Sequence, residues 1–184
     1  MRVTAVILAG GRGTRMGGVD KGLAPYRNAR LIDHVLERLS PQVDTVLINA
    51  NRNLEEYQQL GFPVIADFNK AFDGPLAGMQ AGLHHLVQAE WLVTVPCDSP
   101  LLPLDLVQRL SSAVSTSQSK IAIARSASGN HPVFSLLHRD LTQSLDTYLA
   151  SGERRVSTWQ AQHPHSFVEF EDDTAFTNIN SLSA

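Results

Sequence analysis

Five glycines fall within nine residues near the start of the chain, in Leu8-Ala9-Gly10-Gly11-Arg12-Gly13-Thr14-Arg15-Met16-Gly17-Gly18-Val19-Asp20-Lys21. Glycine permits positive φ and close backbone approach. Consecutive N–H groups, here those of Gly10 to Gly13, can then point into one concavity and bind phosphate oxygens. Arg15 and Lys21 add positive charge to such a cradle. A second loaded segment is Val95-Pro96-Cys97-Asp98-Ser99-Pro100. Asp98 follows an apolar strand, so its carboxylate faces the same side as the glycine loop. One carboxylate plus phosphates and waters is an ordinary set for Mg2+, which draws a polyphosphate together. On its own, Asp98 reads equally as a turn former or helix cap.

Two familiar phosphate loops fail the test. A dinucleotide-binding GxGxxG needs glycine or alanine where Met16 stands, and the second strand ends in Asn49 where a ribose-binding acid is required. A Walker loop needs Gly-Lys-Ser/Thr, but Lys21 is preceded by Asp20 and followed by Gly22.

The 184 residues are 43% hydrophobic and 18% charged, which suits one globular domain over residues 1–184 and excludes disorder as the main state. No apolar run nears the roughly 18–20 residues that span a bilayer, and Val3 to Ala9 is too short for a signal peptide. A cytoplasmic monomer with no membrane partner is expected. Cys97 is the single cysteine, so no internal disulfide or multi-cysteine metal site forms. The histidines lack a ligand pattern: His84 and His85 are adjacent and diverge on a helix, and His163 and His165 flank a proline. Net charge is −3, which argues against nucleic acid. Residues 1–30 nonetheless hold six bases and one acid, Asp20. That cluster suits a small polyphosphate, with Arg2, Arg27 and Arg30 as solvated surface.

These groups must be positioned by strands and helices. Val3–Ala9, Val43–Asn49, Pro63–Ala66, Trp91–Val95, Ile121–Ala124 and Val133–Leu137 read as strands, with Phe167–Phe170 as an edge strand. Helices are expected from Leu31 to Leu39, from an Asn53 cap to Leu60, from Pro75 to about Gln88, from Pro103 or Asp105 to about Val114, and from Leu141 to Leu149. Ser111 to Ser119 reads as a frayed helix end and loop. The alternation predicts α/β: a three-layer, mostly parallel Rossmann-like sheet with helices on both faces. Ligands in such sheets bind beyond the carboxyl ends of the strands. Three ends carry chemistry: Gly10 onward, Asn49 to Asn51, and Cys97–Asp98.

LAGGxGTRM followed shortly by lysine resembles nucleotidyltransferases, and Gly17 to Leu23 (GGVDKGL) resembles most specifically the molybdenum cofactor guanylyltransferase family. Pro96-Cys97-Asp98, Gly74-Pro75-Leu76-Ala77-Gly78 after Asp73, His131-Pro132, Gly152 to Val156 and Asn178-Ile179-Asn180 match further family segments, so the resemblance covers nearly the whole chain. It implies transfer of GMP from GTP to molybdenum-bound molybdopterin. Arg15, Lys21 and Asp98 would be catalytic, with Asp98 on Mg2+. Leu8, Ala9, Gly10, Gly11, Gly13, Lys21, Asn49, Asp67 and Asp98 would contact nucleotide. His131, Arg155, Asn178 and Asn180 would line the acceptor half. Residues 1–100 would be mainly the nucleotide half and 101–184 the acceptor half. Transient contact with other molybdenum cofactor synthesis or delivery proteins is also implied.

Alternatives stay open at this level. They are a cytidylyltransferase on the same acceptor, a sugar-phosphate nucleotidyltransferase, and a nucleotide-binding protein without turnover. In the resembled family guanine users tend to carry LAGG where cytidine users carry TAAG. Leu8 to Gly11 read LAGG, and an Asp67 carboxylate can accept guanine's N1–H and exocyclic amine.

Overall fold

A computed structural model of the chain describes residues 1–11, 20–69 and 74–179. Arg15, Gly13, Asp73 and Asn180 lie outside the described residues. In chain order the elements are β1 (Val3–Leu8), β2 (Pro25–Tyr26), β3 (Ala29–Arg30), α1 (Leu31–Leu39), β4 (Thr45–Asn49), α2 (Leu54–Gln58), β5 (Val64–Ile65) and α3 (Pro75–His84). They continue with β6 (Trp91–Pro96), α4 (Leu106–Ser117), β7 (Ile121–Ser126), β8 (Gly129–His138), α5 (Thr142–Ala150), α6 (Val156–Gln160) and β9 (His165–Glu169).

Among the described residues, seven strands form one sheet in the order β5-β4-β1-β6-β8-β7-β9. Side chains alternate across it, as the pleat requires. Ala5 and Ile7 of β1, Val46 and Ile48 of β4, and Val93 and Val95 of β6 pack against Ile32 and Val35 of α1 and Leu106 and Leu110 of α4. Val6, Leu47 and Leu92 face the other way, onto Leu76 and Met79 of α3, Leu145 of α5 and Trp159 of α6. Two apolar cores therefore sandwich the sheet, which is the expected three-layer, mostly parallel α/β architecture. No helix among the described residues is long and apolar enough to cross a membrane.

β8 runs antiparallel to both β6 and β7, while the other pairings in this sheet are parallel. Gly129, with φ of 121°, turns β7 back into β8, a conformation open to glycine and strained for other residues. The register shifts between Ile123 and Ala124, opposite the stretch holding Pro132, which has no N–H to give to a ladder.

Several boundaries differ from expectation. α3 stops at His84 rather than about Gln88, and the His85 ring and backbone N–H both engage the Ala81 carbonyl. α4 runs on through Ser117, and the Ser112, Ser115 and Ser117 hydroxyls bond carbonyls four residues back, so they are satisfied inside the helix. Arg30 is not merely solvated: it forks onto Asp33 at 2.8 and 3.0 Å and closes the start of α1. The edge strand begins two residues before Phe167, at His165, and α6 and the small β2–β3 hairpin are additional elements.

Candidate active site

The register of the parallel strands builds the site. Leu8 at the end of β1 pairs with Asn49 of β4 and Pro96 of β6, and Asn49 pairs with Ile65 of β5. The ladders continue one step further: the Ala9 N–H donates to Asn49 O at 2.8 Å and the Cys97 N–H to Leu8 O at 3.2 Å. Four strands thus end at one level. The residues that follow them, Gly10, Ala50-Asn51, Ala66-Asp67 and Cys97-Asp98, emerge side by side.

A crevice of about 350 Å³ opens there. Leu8, Ala9, Gly10 and Gly11 form one wall, and Asn49, Gly74 and Pro75 another. Lys21 and Asp98 line it as a directly bonded pair, Lys21 Nζ donating to Asp98 Oδ2 at 3.1 Å. Val133 and Asn178 close the side toward the later half of the chain. Ser99 Oγ donates to Asn178 Oδ1 at 2.8 Å, and the Ile179 N–H donates to Asp98 O at 2.8 Å. The C-terminal segment is therefore docked directly on the aspartate loop.

Asn49 is held from every side. Its amide donates to Asp67 Oδ1 at 2.8 Å, and a Cβ on Gly10 or on Gly78 would lie 2.9 or 2.4 Å from Asn49 Oδ1. Both glycines are needed for this close approach. Asp67 does not line the crevice. Its second oxygen accepts the Asn51 amide at 2.8 Å, and its N–H donates to Asn51 Oδ1 at 2.9 Å. Each oxygen keeps a further lone pair for an incoming donor.

His131 and Arg155 stand away from the crevice lining. The His131 ring stacks on Phe176 at 4.3 Å and meets Ser126 Oγ at 2.6 Å through Nε2. Burial lowers its pKa against the opposing pull of Asp173. The hydroxyl of Ser126 also donates to Asp173, and hydrogen bonds from Ser126 and Ser128 hold that carboxyl down at about 2. Arg155 occupies the N-cap position of α6 without a side-chain cap bond, and its carbonyl accepts the Tyr148 hydroxyl at 3.1 Å.

Three neighbours of the crevice were not singled out from sequence. Arg52 lines it as a second cation beside Lys21, and Asp20 lines it as a buried carboxylate. Arg52 sits three residues past the end of β4, and that placement is the only sequence signal for it. Tyr57, from α2, donates its hydroxyl to Asp20. Burial drives the Cys97 thiol well above its usual range, with Asp98 and Asp20 adding to the effect. Cys97 is packed and protonated, with no nucleophilic character.

An arrangement of glycine N–H groups, two cations and an outward carboxylate at aligned strand ends is suited to a nucleoside triphosphate. A MobA-like NTP transferase domain matches residues 5–166. The chain is 50% identical over 185 residues to a molybdenum cofactor guanylyltransferase of Cupriavidus metallidurans, covering 98% of this chain and 91% of that one. It is 48% identical over 190 residues to one of Ralstonia nicotianae, covering 98% and 93%. Its fold is similar to the crystal structure of molybdopterin-guanine dinucleotide biosynthesis protein A from Archaeoglobus fulgidus, with a TM-score of 0.78, 22% identity, and 97% and 92% of the two chains covered. With half of its residues shared with such relatives over nearly its whole length, the chain belongs to the molybdenum cofactor guanylyltransferase family of nucleotidyltransferases.

Proposed function

We infer that the protein transfers GMP from GTP to molybdenum-bound molybdopterin, giving the guanine dinucleotide cofactor and pyrophosphate. The observation that carries this reading is the convergence of Gly10, Lys21 and Asp98 on one crevice, in a chain of this family. A terminal phosphate oxygen of the acceptor attacks the α-phosphorus of GTP. A new P–O bond forms there, the α–β anhydride bond breaks, and pyrophosphate leaves with the electron pair. A phosphate monoester loses its second proton near pH 6, so no protein base has to create the nucleophile.

The protein's work is positioning and charge neutralisation. The Gly10 and Gly11 N–H groups bind phosphate oxygens, with Gly13 completing the cradle. Lys21, with Arg15, holds the triphosphate and offsets charge on the departing pyrophosphate. Asn49 and Asp67 receive the nucleoside, while Leu8 and Ala9 form its wall. Magnesium requires oxygen donors and is commonly held by one or two carboxylates with substrate phosphates. The Asp98 carboxylate, facing the crevice, fits that set. Asp20 does not, because its oxygens are taken by protein donors. When bound, the metal would supply a Lewis acid at the triphosphate, and Asp98 would hold it.

Residues 1–100 serve mainly the nucleotide and 101–184 mainly the acceptor; among the described residues of the latter, Val133 and Asn178 line the crevice. Asn180 belongs to the same segment as Asn178. His131 and Arg155 would act at the outer part of the acceptor.

Gly78→Ala is expected to weaken GTP binding about tenfold, because the added methyl lands on Asn49 Oδ1 and 2.5 Å from Leu8 Cδ2. Titration with GTP, alongside thermal melting, checks this. Unchanged affinity would mean that Asn49 is not part of the nucleoside pocket.

Product analysis tests the whole reading. The protein is mixed with magnesium and molybdenum-loaded molybdopterin, and GTP and CTP are offered in parallel. Guanine dinucleotide from GTP, with little from CTP, is expected. Product from CTP alone would keep the chemistry and overturn the roles of Leu8–Gly11 and Asp67. No product from either, with the acceptor verified intact, would overturn the reading.

A further inference from the structure

We propose that Tyr57 and Asn53 are positioning residues that seat Lys21 through the buried carboxylate of Asp20. This rests on the reading of Lys21 as a cation for the triphosphate. Asp20 is 7% exposed, and a carboxylate is seldom buried to that extent unless it is paired. Here it is surrounded. The Tyr57 hydroxyl and the Gly22 N–H donate to Oδ1, the latter at 3.2 Å, and the Asn53 amide donates to Oδ2 at 3.1 Å. The Arg52 guanidinium stands 3.8 Å from Oδ2.

Two features show that α2 is turned toward this task. Asn53 occupies the N-cap position with φ of 51° and makes no side-chain cap bond to its own helix. Its amide is committed to Asp20 instead. Burial raises the Tyr57 pKa, so its hydroxyl stays a donor. The tripeptide Asp20-Lys21-Gly22 is also packed closely against Tyr57 and Cys97. A Cβ on Gly22 would lie 2.6 Å from the Tyr57 hydroxyl and 3.3 Å from Cys97 Cβ. The Lys21 carbonyl accepts the Ala24 N–H, and the Gly22 carbonyl accepts the Ile32 N–H.

The consequence lies in Lys21. A lysine amine rides on a flexible four-carbon stem, so its place is set by where its backbone is anchored. A misplacement of about 1 Å at a reacting group can cost about a hundredfold. Asp20, pinned on both oxygens, is that anchor, and Tyr57 and Asn53 pin it from α2.

The test is a double-mutant cycle read by affinity rather than turnover. Binding of magnesium and GTP is titrated without acceptor for the unmodified protein, Tyr57→Phe, Lys21→Ala and the double variant. Thermal melting verifies that each is folded. Tyr57→Phe should weaken binding about tenfold when Lys21 is present and less than about twofold when it is absent. Equal losses in both backgrounds would overturn the proposal and leave the role of Lys21 intact, as would no loss with Lys21 present. No loss from Lys21→Ala alone would overturn the role of Lys21 and the proposal with it. If Tyr57→Phe does not fold, Asn53→Gly keeps the left-handed backbone, removes the amide, and is judged by the same criteria.

Discussion

Asp98→Asn should lower formation of the guanine dinucleotide at least about a thousandfold, since a carboxylate holding a catalytic metal supplies several kcal/mol at the transition state. The fold should be nearly untouched. Asparagine has the shape of aspartate, and the bond from Ile179 goes to the Asp98 backbone carbonyl, which the substitution keeps. What the folded state loses is the pair between Lys21, about a third exposed, and the buried Asp98 carboxylate. Lys21 can turn to solvent when the pair is broken, so a loss of about 1 kcal/mol and a change of a few degrees in melting temperature are expected. Pyrophosphate release and thermal melting measure the two effects separately. If more than a tenth of the activity remained, Asp98 would be a turn residue and the metal would have to be held elsewhere.

Lys21→Ala is the second large effect. Loss of a preorganised cation aimed at developing charge costs about a hundredfold to a thousandfold in kcat/KM, or roughly 3–4 kcal/mol. On the proposed role the lysine would meet both the bound triphosphate and the departing pyrophosphate, so kcat should fall and KM for GTP should rise. Lys21→Arg should recover only part of the rate. A planar guanidinium, with its charge spread over three nitrogens, does not reproduce the place of a compact ammonium. Steady-state kinetics with GTP varied at saturating acceptor resolves the two parameters. A rate within twofold of the unmodified protein would remove Lys21 from the mechanism and return the phosphate-binding role to Arg15 and Arg52.

Much of the architecture could be read in advance because its causes are local or periodic. A strand buried on both faces must be a continuous apolar run, so β1 and β6 announced themselves. Leu31, Val35, Leu36 and Leu39 recur at helical spacing, and α1 follows. Polar residues immediately after such strands had to emerge at one edge of the sheet. For that reason Gly10, Asn49 and Asp98 could be grouped before any contact was known. The reversal of β8 was less visible. It depends on one glycine turn, and a buried antiparallel strand has the same composition as a parallel one.

The side-chain partnerships belong to another level. Asn53 looks like a helix cap, yet its amide crosses to Asp20, 33 residues away in sequence. Asp67 reads as a base-contacting carboxylate, and the structure adds that each of its oxygens also holds an asparagine amide. His131 is expected beside the acceptor, and the structure adds that its ring stacks on Phe176 and pairs with Ser126. The sequence by itself determined the alternation of strands and helices, the glycine loop and the strand end that carries the acid, because periodicity, backbone freedom and burial act within a few residues. Only the tertiary structure decided that Lys21 meets Asp98, that α2 supports the segment bearing Lys21, and that Asn178 closes the crevice. Hydrogen bonds and charges choose their partners by distance in space, and the packing of the sheet sets that distance.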